Sequence, residues 1–234
     1  MVETPKLVLE ALESELTVDH VIVSGDQHPD PDIAEACETQ GVRLFGLEAD
    51  AFAKLSDART PQPALAVVEL PSLAVDERFA AEAAMYLVLV DVSDPGNVGT
   101  LIRTAEATGC AGVIVTSTTA DVVSPKVVRA SAGSMLRVPL GEVELAELPS
   151  TLERLGVMSI ATALDSTPFS EVSIEPAKSI ALLLGSEAHG LDPTIAAHAD
   201  QTVSIPMHGK VESLNVATAG AVLAFHLAAN RSDP

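Results

Sequence analysis

The chain has 234 residues, enough for one large domain or for a small and a medium one. Hydrophobic residues make up 47% and aromatics only 3%, with no Trp, so the core is aliphatic, and no uncharged apolar run is long enough to indicate a membrane span. Lys plus Arg total 13 against 33 Asp plus Glu, a formal net charge of −20.

Such a balance argues against a free-standing nucleic-acid binder, whose phosphate contacts call for cations. A salt-rich cytoplasm or solubility would also produce it. The positions of the few basic residues therefore matter more than their sum. The N-terminal run MVETPKLVLEALESEL lacks the long apolar stretch of a signal peptide. Cys37 and Cys110 show no metal or redox spacing and read as small buried residues in a reducing compartment, which places the protein in the cytoplasm.

In chain order, Lys6–Leu16 has helical apolar spacing at Leu7, Val8, Ala11, Leu12 and Leu16. Val18–Ser24 reads as a strand, His28–Asp32 as a turn, and Ile33–Thr39 as a short helix stopped by Gly41. A strand at Val42–Leu47, a short helix at Ala49–Leu55 and a strand at Ala64–Glu69 complete a small α/β layer over residues 1–70. Pro71–Ala84 is Pro-bounded and rich in Ala and charge; it reads as a linker, or as a helix packed on the second domain.

Residues 85–234 read as that second α/β domain. Leu87–Val92 suits a central parallel strand. After the turn Asp94-Pro95-Gly96, Asn97 can cap a helix with Val98, Leu101, Ile102 and Ala105 on its core side. Further strands fall at Val113–Thr116, Val138–Leu140, Met158–Ala163 and Ile180–Leu184, with helices at Pro125–Ala132, Leu145–Leu155 and Ile195–Ala199. Thr202, Val203 and Ile205 form a last short strand, and Ser213 stands as N-cap of an Ala-rich apolar helix. A polar loop from a strand end into a helix N-terminus is where α/β folds bind ligands. A plain packing helix that begins with Ser is the alternative.

Three segments carry more than spacing. They are Val92–Gly109 (VSDPGNVGTLIRTAEATG), Leu182–Leu191 (LLLGSEAHGL) and Ile205–Val222 (IPMHGKVESLNVATAGAV). In that order they resemble the first, second and third motifs of the SpoU/TrmH-type RNA methyltransferases, a branch of the SPOUT group. The resemblance covers roughly Leu87 to the C-terminus. It implies a parallel-sheet α/β domain tied in a trefoil knot, which periodicity could not show. It also implies a homodimer with each active site completed across the interface.

The resemblance further implies a small N-terminal RNA-binding domain similar to ribosomal protein L30e. The family usually has a basic strand ahead of this domain's first helix, whereas here the chain begins at MVETPKLVLEAL, with Glu3-Thr4 where Glu-Gly is common. The N-terminal domain, residues 1–70, is thus expected to be short at its N-terminus.

By residue type, Arg103 reads as a surface charge or a phosphate-reading group, and Glu187 as a helix-start carboxylate. By resemblance, Asn97, Arg103, Glu187, Ser213 and Asn215 match the catalytic set. The implied reaction is transfer of a methyl group from S-adenosylmethionine to a ribose 2′-hydroxyl of RNA, and the two-domain layout favours ribosomal over transfer RNA. Arg103 is too weak an acid to serve as a free general base, so its implied task is to fix a phosphate and orient the hydroxyl. The implied donor loops are Thr162-Ala163, Leu184-Gly185 and Ile205 to Met207, with Leu214 closing the pocket.

Lys126 and Arg129, in SPKVVRASAGSMLRVPL, resemble a family segment beside the active site and are expected to contact RNA; a solvated helix face is the plain reading. No metal is implied, and His189, His198 and His208 lack ligand spacing. A non-catalytic RNA-binding or ribosome-assembly protein on the same fold is the rival. The intact motif residues speak against it and the net charge speaks for it. A nucleotide-dependent oxidoreductase lacks support, because no G-x-G-x-x-G succeeds the first strand of either domain.

Overall fold

The computed structural model describes residues 1–25, 30–56, 60–70, 72–172 and 174–231. Part of the His28–Asp32 turn, and Pro71 of the expected linker, lie outside them. The chain forms two compact units, Met1–Ser72 with Ala132–Arg137, and Leu73–Ser131 with Val138–Pro234.

The first unit contains β1 (Val2–Glu3), α1 (Pro5–Glu13), β2 (Val18–Ser24), α2 (Pro31–Gln40), β3 (Arg43–Leu47), α3 (Ala49–Phe52) and β4 (Ala64–Val68). Its sheet runs β1-β4-β2-β3, with β2 and β3 parallel and the other pairs antiparallel. Helix α1 buries Leu7, Val8, Ala11 and Leu12, the stripe that the spacing predicts. No sequence pattern marks β1; two residues give no alternation, and only pairing with β4 defines them. Thr4 caps α1 by accepting from Leu7 N at 3.2 Å, and it does so at φ +103, a region favourable only to glycine. Glu-Thr in place of Glu-Gly thus carries backbone strain.

The second unit contains β5 (Met85–Leu89), α4 (Pro95–Ala107), β6 (Gly112–Thr116), α5 (Pro125–Ala130), β7 (Leu140–Val143), α6 (Leu148–Leu155), β8 (Met158–Pro168), β9 (Ile180–Leu184), α7 (Pro193–His198), β10 (Gln201–Ser204) and α8 (Val216–Ala229). Its six strands run β10-β8-β9-β5-β6-β7, all parallel. All five residues of each of β5, β6 and β9 are buried, as the apolar runs require of strands covered on both faces. Within the stretch read as a linker, Phe79 is buried against Tyr86, whose hydroxyl donates to Phe79 O at 2.6 Å, so this part packs into the second unit's core.

Two helix starts differ from the sequence reading. Asp94, not Asn97, caps α4: its carboxylate accepts from Asn97 N at 2.9 Å, and Pro95 takes the first helical position. Asn215, not Ser213, caps α8, accepting from Ala217 N at 2.9 Å and Thr218 N at 3.3 Å. Helix α8 buries Ala217, Gly220 and Ala224 alongside Val216, Leu223 and Leu227. A Cβ at Gly220 would lie 2.4 Å from Leu101 Cδ2 and 2.7 Å from Leu184 Cδ1, so only glycine lets α8 sit this close to α4 and β9.

Candidate active site

The carboxyl ends of parallel strands are where such sheets bind ligands, and the segments after β5, β8, β9 and β10 meet at that edge. After β9, Gly185 allows the chain to fold sharply: a Cβ there would be 2.2 Å from Gly190 C and Leu191 N. Ser186 and Gly190 then exchange two backbone hydrogen bonds of 2.9 Å, closing a tight loop that presents Glu187. After β5, the Asp94 cap sets Asn97 in the first turn of α4. After β10, the loop 205–215 brings Asn215 to the start of α8.

These three ends are joined by side chains. Asn215 Nδ2 donates to Asn97 Oδ1 at 3.0 Å, and Asn97 Nδ2 donates to Glu187 Oε1 at 2.6 Å. Asn215 Oδ1 in turn accepts the first amides of α8. A hydrogen-bond chain therefore runs from a helix N-terminus through two amides to a carboxylate. Each link polarises the next.

Beside this chain lies a cavity of about 660 Å³. Thr162 and Ala163 line it where β8 leaves its ladder: Thr202 of β10 pairs with Ala161, but Val203 pairs with Thr167. Leu184 and Gly185 line it from the end of β9, Ile205 and Met207 from the loop after β10, and Ser213 and Leu214 from the approach to α8. All seven residues expected to hold the donor thus face one space. Its size is that of a small-molecule pocket, and its apolar side chains suit one face of a purine. A second cleft of about 930 Å³ shares the Ser186–Leu191 wall and holds Asn97, Glu187 and Asn215 with Asp91, Ser93 and Asp94.

The model of the SpoU rRNA methylase family matches residues 84–225. The chain belongs to that family. The 23S rRNA (guanosine(2553)-2′-O)-methyltransferase RlmP of Bacillus subtilis (strain 168) is 35% identical over 228 residues, 97% of this chain and 87% of the relative. The 23S rRNA (uridine(2479)-2′-O)-methyltransferase of Streptomyces viridochromogenes is 30% identical over 203 residues, 84% of this chain and 71% of its own. The crystal structure of the SpoU methyltransferase AviRb from Streptomyces viridochromogenes, in complex with AdoMet, matches with a TM-score of 0.88 at 26% identity, covering 98% of this chain and 89% of that one. Family membership assigns the SpoU protein RNA methylation with S-adenosylmethionine as the donor, and the apolar cavity fits that donor's adenine.

Other expected residues stand outside the hydrogen-bond chain. Ser213 lines the donor cavity without capping α8. Arg103 is exposed on α4, borders neither cavity, and makes no hydrogen bond or ion pair among the described residues. Lys126 is exposed and Arg129 half-buried on α5. Sequence reasoning misses Asp94 as a site residue, although Pro95 directly after it is the signal of a capped helix start. The cysteines are both buried, and burial pushes the Cys110 thiol up to about 11.

Proposed function

We propose that the protein methylates a ribose 2′-hydroxyl of 23S ribosomal RNA. The observation that carries this reading is the Asn215–Asn97–Glu187 chain, which joins all three motif segments, beside a cavity walled by the second and third of them and by Thr162 and Ala163. When bound, S-adenosylmethionine supplies a methyl group on a positively charged sulfur, which a ribose oxygen displaces in line.

The chain's own residues supply positioning and exclude water. Both ends of the Asn97 amide are engaged, so its orientation is set before any ligand arrives. Glu187 lines both spaces and holds Asn97 through one oxygen, so its other oxygen would be available to the donor's positive charge. Leu184, Ile205, Met207 and Leu214 would hold the donor against apolar surface.

Arg103 supports a shared site: it touches neither cavity of its own protomer, so it is assigned to the acceptor phosphate at the partner's site. Helix α8 has Val222 and Phe225 exposed at 39% and 53%, apolar surface that suits a homodimer interface. Lys126 and Arg129 are assigned to RNA backbone, and the first unit to an L30e-like RNA grip. The trefoil knot is supported by strand order: β8 and β10 lie outside β9, yet α8 returns to pack on Leu184 and Leu101. A cytoplasmic location accords with a ribosomal acceptor.

Calorimetric titration with S-adenosylmethionine or S-adenosylhomocysteine tests the reading. Binding near one per chain supports it. A folded protein that binds neither would favour the non-catalytic RNA-binding reading, which the charge of −20 suits.

A further inference from the structure

The relatives' names differ in the base that bears the methylated ribose, guanosine in one and uridine in another. The cleft on the acceptor side of Asn97 has a feature that decides between such bases. Asp91, just past β5, lies on its wall at φ +56, a left-handed backbone that Asp adopts more readily than most residues. Its Oδ1 accepts from the hydroxyls of Thr116 and Thr118, and its amide donates to Thr116 Oγ1 at 3.1 Å. Thr116 is itself only 1% exposed, so the clamp is anchored in the sheet. Oδ2 accepts no hydrogen bond among the described residues and is left for a ligand.

The other charged groups of the cleft decide what that ligand presents. Asp94, Glu187 and Asp192 share the wall, so a phosphate is repelled there. Asp94 and Asp192 are committed to helix caps, and Glu187 holds Asn97. Asn97, Glu187 and Asp91 line the same cleft, so a ribose held at the first two would have Asp91 on the wall facing its base. A carboxylate accepts and cannot donate. Guanine alone presents two adjacent donors, N1–H and N2–H, on its Watson–Crick edge. Uracil offers one N–H between two carbonyl oxygens, which a carboxylate repels.

We infer that Asp91 is a specificity-determining residue that reads the acceptor base and selects guanosine. The inference rests on the methyltransferase reading of the same site. The test uses unmodified 23S rRNA transcribed in vitro and isotopically labelled S-adenosylmethionine. The RNA is digested to nucleosides and the product identified by mass. The wild-type product is 2′-O-methylguanosine.

Asp91→Asn keeps a side chain that tolerates this backbone but turns an amide donor towards the donors of guanine. Asp91→Gly removes the carboxylate and relaxes the backbone, so it folds even where the amide variant does not. Both lower kcat/KM on the guanosine site by about ten- to a hundred-fold, the usual worth of a base-edge contact. Both leave S-adenosylmethionine affinity unchanged. Replacing the target guanosine by inosine, which lacks the 2-amino group, reproduces part of that loss in the wild type and adds little in Asp91→Gly. A uridine, cytidine or adenosine product, or undiminished kcat/KM in both variants, overturns the role of Asp91 and leaves methyl transfer standing. No transfer by the wild type overturns both.

Discussion

Asn97 uses both ends of its amide inside the protein, the nitrogen on Glu187 and the oxygen for Asn215. Removing it with Asn97→Ala leaves the walls of the donor cavity intact, since Asn97 is not among them. The expected result is unchanged donor affinity by calorimetry and a methyl-transfer rate lowered about a hundredfold, as misplaced reacting groups cost. Asn97→Asp is a sharper probe. It sets a second carboxylate 2.6 Å from Glu187, and like charges at that distance raise one pKa. Activity of that variant is low at neutral pH and partly recovers as the pH falls and the pair takes up a proton, while the wild type shows no such recovery. Cys110 gives a separate residue-scale test. Its thiol, held near 11 by burial, is almost wholly neutral at pH 8, so alkylation by iodoacetamide tracks global unfolding. Rapid labelling of the native protein would contradict its burial.

At the scale of elements, two close approaches set the framework. Gly220→Ala places a Cβ 2.4 Å from Leu101, and such overpacking lowers stability by about 1–3 kcal/mol, read from the urea midpoint. Thr4→Gly has two opposing effects. It relieves a strained φ of +103, worth about 1–3 kcal/mol, and loses a hydroxyl cap that glycine replaces at a cost of a few tenths. The net expectation is a protein stabilised by about 1 kcal/mol, and a loss of stability would contradict the strain. The same elements show what is legible in the sequence. β5, β6 and β9 are plain because five-residue apolar runs between turn residues admit little else. The three motif segments hold Asn97, Glu187, Asn215 and five of the seven cavity-lining residues expected for the donor, because motif order fixes which strand ends meet; Thr162 and Ala163 lie outside the segments and are named only by the resemblance. Cap assignments fail where polar residues stand close together. Ser213 and Asn215 both suit an N-cap, and the bond from Asn215 to Asn97, 118 positions away, ties the latter to the site. Residues 162–166 have no β10 partner in the register, and that gap opens the donor cavity; no local pattern encodes it. Nor does any periodicity reveal Asp91, whose importance comes from a φ and from threonines some 25 residues later.

The whole molecule is acidic, and this shapes its pH response. Asp192 is held below its ordinary pKa by Thr194 and Asp200 by Ser159; Asp76 is held down by Arg78 and Asp19 by His20. A carboxylate with a depressed folded-state pKa contributes stability above its unfolded pKa, about 3.9, and loses it as pH falls through the folded value. The contribution of these groups to thermal stability is therefore expected to change little from pH 7 to 5 and to be lost below about pH 4, by a small amount because the carboxylates lie in solvent. Charge also bears on RNA. With so few cations, the salt slope of RNA binding should fall by about one unit for each of Lys126 and Arg129 that is neutralised, and an unchanged slope would remove them from the interface. Assembly is tested by mixing inactive protomers. If Arg103 serves the partner's site, Arg103→Ala with Asn215→Ala yields heterodimers carrying one intact site; random pairing of two chains then restores about a quarter of wild-type activity. A monomer in size-exclusion chromatography would contradict the shared site. The most direct test of the central claim tracks the methyl group itself. The protein is incubated with methyl-labelled S-adenosylmethionine and unmodified 23S rRNA, and the RNA is cleaved with alkali. Label in an alkali-resistant dinucleotide, at one position per molecule, is the predicted result, because a methylated 2′-oxygen cannot attack the neighbouring phosphate. Label on a base in alkali-sensitive nucleotides, or donor binding with no label in RNA, would contradict it.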